Sequence, residues 1–310
     1  MKYFFAIVGA VVILFLILLP VRPLSAPTVP VEKGEVKEAT VMFGGDAMFD
    51  RTMRTVFENV GGDYLFSCIA DVLAEPDAVV LNLEGPVTTY DSVSLGTRVG
   101  DQHNTHFTFP PQTAALLKRH NVSIVNLGNN HIADFGRDGV AQTKQFLTEA
   151  GVAYFGTSDT RVLRKDINGV PLSFVGYNEF EIPSVEKRII YDIVRAESDA
   201  GRIVVVYTHW GDEYVGVPER VRVLAHELVD AGADLVVGSH PHIVQDYEAY
   251  GGGYIYYSLG NFVFDQYFSD EVRNGLLLEV KFTETGVQSM KEIPIVLNPD
   301  ARTCLTTPTR

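Results

Sequence analysis

Short apolar runs, each closed by a polar or glycine-rich turn, recur along the chain. ATVMFGGD (39–46), DAVVLNLEG (77–85), VSIVNLGNNH (122–131), RIVVVYTHWGDEY (202–214) and DLVVGSHPH (234–242) are of this kind. Their valine-rich cores are too short for helices, which predicts strands covered on both faces. VAYFGTS (152–158) and PLSFVGYNEF (171–180) read as two more strands. GYIYYSLGNFVFD (253–265) and GLLLEVKFTETG (275–286) read as alternating strands near the end. Between these runs, 49–58, 110–121, 138–151 and 218–233 carry helical spacing. Pro218 suits a first turn and Gly151 a stop. Strands alternating with helices predict an α/β layered fold with much parallel sheet.

The polar positions are as regular as the apolar ones. Strand after strand ends in acidic, amide or imidazole residues: Asp46, Glu84, Asn130, His131, His209, His240 and His242. In open α/β sheets ligands bind beyond the carboxyl ends of the strands, so these residues are expected around one crevice. Mixed oxygen and imidazole donors suit zinc, manganese or iron rather than calcium. Asp46, Glu84, Asn130, His209, His240 and His242 outnumber the ligands that one zinc takes from protein. Two divalent transition metals sharing a carboxylate fit better, and such a pair supports hydrolysis. Taken singly, each residue has an ordinary reading: Asp46 as a helix cap, Asn129 and Asn130 as turn formers, His209 as packing.

Composition adds the setting. The 310 residues are 46% hydrophobic, enough for a substantial core, and the formal net charge is -14. That charge argues against nucleic acid as a partner and leaves room for a local cationic pocket. KYFFAIVGAVVILFLILLP (2–20) is uncharged and long enough to span a bilayer, which takes roughly 20 residues. Residues 1–20 are therefore read as a single-pass anchor, with a cleaved signal as the alternative. Residues 21–37 read as a linker, 38–297 as the folded domain and 298–310 as a tail. The domain is expected outside the cytoplasm, on the cell membrane. The two cysteines make no disulfide framework. Cys68 is read as a buried small hydrophobe and Cys304 as part of the tail, with a bridge between them the alternative.

GGDAMFDR, LNLEGPVT, FTFPPQ, VNLGNNHIADFG, THWGDEY, GADLVVGSHPHIVQ and YSLGNFVFDQ follow one another between about residues 38 and 297. In order and spacing they resemble the CapA family of capsule and poly-γ-glutamate biosynthesis proteins, a branch similar to the calcineurin-like metallophosphoesterases. The resemblance implies a four-layer α/β/β/α sandwich preceded by the transmembrane helix. It also implies roles. Asp46 and Glu84 resemble the first aspartate ligand and the bridging carboxylate, with His242 joining them at the first metal. Asn130, His209 and His240 would hold the second, and His131 would be the general acid. The sequence departs from the phosphoesterase pattern at Met48, where a histidine ligand is expected, and thioether is a poor ligand for a hard divalent metal.

Other residues complete the expected site. Arg51 is read as a catalytic residue holding a carboxylate or phosphate. Asn129, Asp134, Trp210, Glu213 and Asn261 are read as supports or substrate contacts, with core packing an equal reading for Trp210. The implied function is synthesis or export of poly-γ-glutamate or capsular polymer, with polymer synthase subunits as partners and a hydrolase-like site. The alternatives are a non-catalytic polymer-binding or assembly subunit, and a phosphoesterase acting on an unrelated phosphoester.

Overall fold

The computed structural model describes residues 36–98, 100–181 and 183–306. The apolar run at 2–20 and most of the linker lie outside the described residues. Among the described residues no helix is long and apolar enough to cross a membrane.

The valine-rich runs form the centres of two sheets. In the larger, β1 (Glu38–Ala47), β2 (Ala78–Leu83), β3 (Val122–Asn126) and β4 (Ala153–Phe155) run parallel. The sheet continues antiparallel on the other side of β1 through β12 (Asn274–Thr283), β13 (Gly286–Leu297) and β14 (Thr303–Leu305). A short strand, β11 (Asn261–Val263), pairs parallel with the end of β1. The smaller sheet runs β5 (Val162–Ile167), β6 (Val170–Asn178), β7 (Ile203–His209), β8 (Leu235–Ser239), β10 (Gly253–Tyr256), β9 (Tyr247–Tyr250). Its centre, β6 through β8 and β10, is parallel, as the covered valine runs predict.

Three apolar clusters organise these elements. One joins the two sheets, with Val41, Phe43 and Val80 against Phe174, Val205 and Val237. A second packs the larger sheet against helices such as α1 (Arg51–Val60), α4 (Gln112–Arg119) and α5 (Gly136–Ala150). A third packs the smaller sheet against α6 (Pro183–Asp199) and α7 (Glu219–Asp230). The Tyr207 hydroxyl donates to the Gly44 carbonyl and ties one sheet to the other close to the strand ends.

Two glycines set how closely backbones approach there. A Cβ on Gly45 would lie 1.7 Å from the Gly260 carbonyl oxygen, and one on Gly238 would lie 1.9 Å from that of Tyr257. Asp46 and His240 follow these glycines by one and two residues, so close backbone packing places both ends of the future site.

Several expectations are corrected. The segment 183–199, unassigned from sequence, is a helix. Its apolar stripe rests on Ile190 and Val194 among many charges, too narrow to stand out. β13 was equally hidden, because most of its residues are not buried and it lacks clean alternation. The segment beyond 297 extends the larger sheet through β14. β14 carries Cys304 to Cys68, and the two form a disulfide with Cα atoms 4.8 Å apart, in place of two free thiols. Strand pairing does what local sequence cannot reveal, closing a separation of 236 residues.

Candidate metal centre

The centre lies where the carboxyl ends of both sheets meet. Asp46 is the penultimate residue of β1, and Glu84 follows β2 directly. Asn130 lies beyond β3, His209 ends β7, and His240 and His242 lie just beyond β8. The structure brings these predicted donors together. His242 Nδ1 is 3.4 Å from Asp46 Oδ2, His242 Nε2 is 3.7 Å from Glu84 Oε1, and His209 Nε2 is 2.8 Å from Asn130 Oδ1. Asp46, Glu84, His209, His240 and His242 are all buried.

The backbone is bent to achieve this. His240 and His242 have φ of 97° and 58°, a region costly for side chains with a Cβ. The His240 N–H donates to Asp46 Oδ2 (3.0 Å), so the unusual conformation serves the centre directly. Phe180 packs on the His240 ring at 4.3 Å between centroids.

Further side chains hold the donors. His242 Nδ1 lies 2.9 Å from Asn261 Oδ1, leaving Nε2 to face Glu84. His209 Nδ1 lies 3.0 Å from Ser239 Oγ, leaving Nε2 toward Asn130. Metal-binding imidazoles are characteristically anchored in this way through the other nitrogen. Asn82 donates to Asp46 Oδ1 (2.7 Å) and lies 3.2 Å from His209 Nδ1. Its own oxygen accepts from Asn126 and Asn129. Asn82 was not foreseen from sequence. The signal was there: an amide inside a buried strand, two residues before Glu84, faces the same side as Glu84.

Electrostatics follows from burial. Burial and the neighbouring Asp46 charge push the Glu84 carboxyl well above its ordinary value. Burial likewise lowers His209 far below the usual imidazole range, and His240 to about 4. Burial alone would raise Asp46 too. The His242 hydrogen bond and charge, His209 and the His240 N–H outweigh it and hold Asp46 below the usual carboxylate range.

The donors fit a metal. Both oxygens of Glu84 and Nδ1 of His240 are buried without a hydrogen-bond partner among the described residues. Buried polar groups of that kind cost free energy unless something satisfies them. Three groups each keep one ligand atom per residue within 4.8 Å of the others: Glu84, His209 and His240; Asp46, Glu84 and His242; and Glu213, His240 and His242. Glu84 is common to the first two groups, at the position from which a carboxylate can be shared.

The remaining predicted residues surround the donors. Glu84, His131, Glu213 and His242 line a cavity of 1030 Å³, with Arg51 on its wall. Arg51 pairs with Asp265, and its guanidinium lies over Phe107 and Phe264. His131 Nδ1 is 3.0 Å from Asp134 Oδ2, and the same oxygen accepts from the Phe107 N–H (2.7 Å). Asn129 donates to the Leu83 carbonyl at 2.8 Å and, with Asn130, lines a second cavity of 610 Å³. Trp210 is fully buried, donates to the Tyr257 carbonyl and belongs to the core of the smaller sheet. Of its two readings, core packing is the one realised. Met48 is also a core residue, and its sulfur accepts the Asp50 N–H.

Comparison with known sequences gives this arrangement a family. The bacterial capsule synthesis protein family PGA_cap matches residues 40–266, most of the chain and every donor above. The chain belongs to this family. Two curated relatives are similar over most of its length. The capsule biosynthesis protein CapA of Bacillus anthracis is 30% identical over 288 residues, covering 86% of this chain and 69% of that protein. The PGA biosynthesis protein CapA of Bacillus subtilis (strain 168) is 30% identical over 314 residues, covering 95% and 80%. The PGA_cap match begins two residues into β1 and ends just after β11, so it spans both sets of strand ends that build the centre.

Proposed function

We propose that this chain is a membrane-anchored, extracytoplasmic protein that acts in synthesis or export of poly-γ-glutamate or a capsular polymer, through a two-metal, hydrolase-like centre. The observation that carries the catalytic part is Glu84. Its two oxygens are buried without a hydrogen-bond partner among the described residues, close to imidazoles from the other sheet. The polymer assignment rests on family membership and on the capsule and PGA biosynthesis named for the two relatives. The Cys68–Cys304 bridge supports an oxidising compartment. The three apolar clusters support a four-layer α/β/β/α reading, with the sheets inside and helices on both outer faces.

In this reading Asp46, Glu84 and His242 hold one divalent ion and Asn130, His209 and His240 the other, with manganese, zinc or iron suited to the donors. A pair held there supplies Lewis-acid polarisation of the scissile group and lowers the pKa of water at the site. His131 is the proton donor to the leaving group, with Asp134 orienting its ring. Arg51 binds a substrate carboxylate or phosphate while Asp265 and the flanking rings hold it in place.

The test is to incubate the purified full chain and manganese with poly-γ-glutamate and with a panel of phosphomonoesters and phosphodiesters. The expected result is a change in polymer length. His131→Ala should retain its metals and lose about 10²–10⁴ in rate. Turnover of phosphoesters alone would replace the polymer reading with an unrelated phosphoesterase. A second reading, a non-catalytic polymer-binding or assembly subunit, is favoured by Met48 at the position of an expected ligand. It predicts polymer binding with no turnover of either class.

A further inference from the structure

Met48 leaves the His242 side of the centre one donor short. Its side chain is fully buried in the core and its sulfur is occupied by the Asp50 N–H, so no movement of a surface group restores a ligand from β1. A donor can come instead from the other sheet. Glu213, four residues beyond the end of β7, places a carboxylate oxygen within 4.8 Å of ring nitrogens of both His240 and His242. Among the described residues no Lys or Arg is ion-paired with it, although most basic residues of this acidic chain have such a partner.

The loop carrying Glu213 is fixed on both sides. Gly211, at φ 86°, donates its N–H to Glu179 Oε2 (2.7 Å), and Asp212 pairs with Arg220 (2.8 Å). On the other side Tyr214, at φ 61°, donates its N–H to the carbonyl of Pro241 (2.9 Å), the residue between the two histidines. The Tyr214 ring stacks on His242 with centroids 5.8 Å apart, and Gln266 donates to its hydroxyl. Backbone and ring therefore lock the Glu213 turn onto the histidine turn. A non-glycine residue at positive φ held by such contacts is characteristic of functional sites.

The geometry points to Glu213 as a third carboxylate ligand of the centre, standing in from the smaller sheet for the imidazole that Met48 cannot supply. The inference rests on the metal reading of the site and adds to it a ligand and a metal preference. Replacing an imidazole by a carboxylate hardens the donor set, favouring manganese over zinc relative to a histidine in that place. Glu213 also lines the 1030 Å³ cavity, so the ion it contacts is the one open to substrate.

The test uses the purified full chain, titrated with Mn²⁺ and separately with Zn²⁺, with bound metal counted by mass spectrometry and affinity measured by calorimetry. Glu213→Gln keeps size and hydrogen-bonding capacity, including toward Tyr214, and removes the charged ligand. It should retain the wild-type melting profile and weaken one Mn²⁺ site by about 10–100-fold while the other is unchanged. Glu213→His should restore the occupancy and shift that site's preference toward Zn²⁺. Two Mn²⁺ sites of wild-type affinity in Glu213→Gln would overturn the inference and leave the two-metal reading standing. A wild-type chain that binds neither metal would overturn that reading and this inference with it.

Discussion

The two sheets contribute different chemistry to one centre. The larger supplies oxygen donors, Asp46, Glu84 and Asn130, while the smaller supplies His209, His240 and His242. The oxygen side is built from parallel strand ends and braced by amides, with Asn82 linking Asp46, His209, Asn126 and Asn129. The nitrogen side depends on a bent turn, with His240 and His242 both at positive φ. The protonic states differ as well. Without a cation, burial favours a protonated Glu84 on one side and neutral His209 and His240 on the other. His209 and His240 are thus already in their metal-binding form, whereas Glu84 must release a proton when metal binds.

The comparison breaks most directly by removing one donor from each sheet. Asp46→Ala and His240→Ala should each weaken metal binding by more than about 100-fold, since a ligand costs more than its supporting partners. If only one variant loses metal, the centre belongs to a single sheet. Next in size is the bracing: Asn82→Ala should cost about 10–100-fold in metal affinity at nearly unchanged stoichiometry, measured by calorimetry.

Acidity sharpens the contrast. Metal affinity should rise with pH by about tenfold per unit while Glu84 still carries its proton, and then level off. The sign follows from the raised Glu84 carboxyl, which releases a proton on binding. His240, lowered to about 4, and His209, also held well below the usual imidazole range by burial, add no competition near neutrality. A slope of two or three protons would assign the proton chemistry to the histidines instead. The smallest effect on the centre is expected from the disulfide. Cys304→Ser should lower stability by about 2–5 kcal/mol in chemical denaturation and leave metal affinity unchanged.

Much of the fold was legible because the buried parallel strands carry their own signature, and the strand ends listed the donors in chain order. The missing parts have a common cause. β13 and α6 bury narrow faces and so lack strong periodicity. The Cys68–Cys304 bridge depends on pairing between β13 and β14, which no local pattern records. Asn82 sat in plain view in LNLEG, but its importance appears only when β1 and β7 bring Asp46 and His209 to it. Trp210, next to His209 in sequence, faces the core because neighbouring strand-end residues point to opposite sides.

The central claim is that oxygen donors from one sheet and imidazoles from the other hold two ions joined by Glu84. Electron paramagnetic resonance of the Mn²⁺-saturated chain, with metal counted on the same sample, tests it most directly. The account predicts two equivalents per chain with the spectrum of an exchange-coupled pair, reduced to uncoupled ions in Glu84→Ala. A single equivalent, or two uncoupled ions in the unmodified chain, would contradict it.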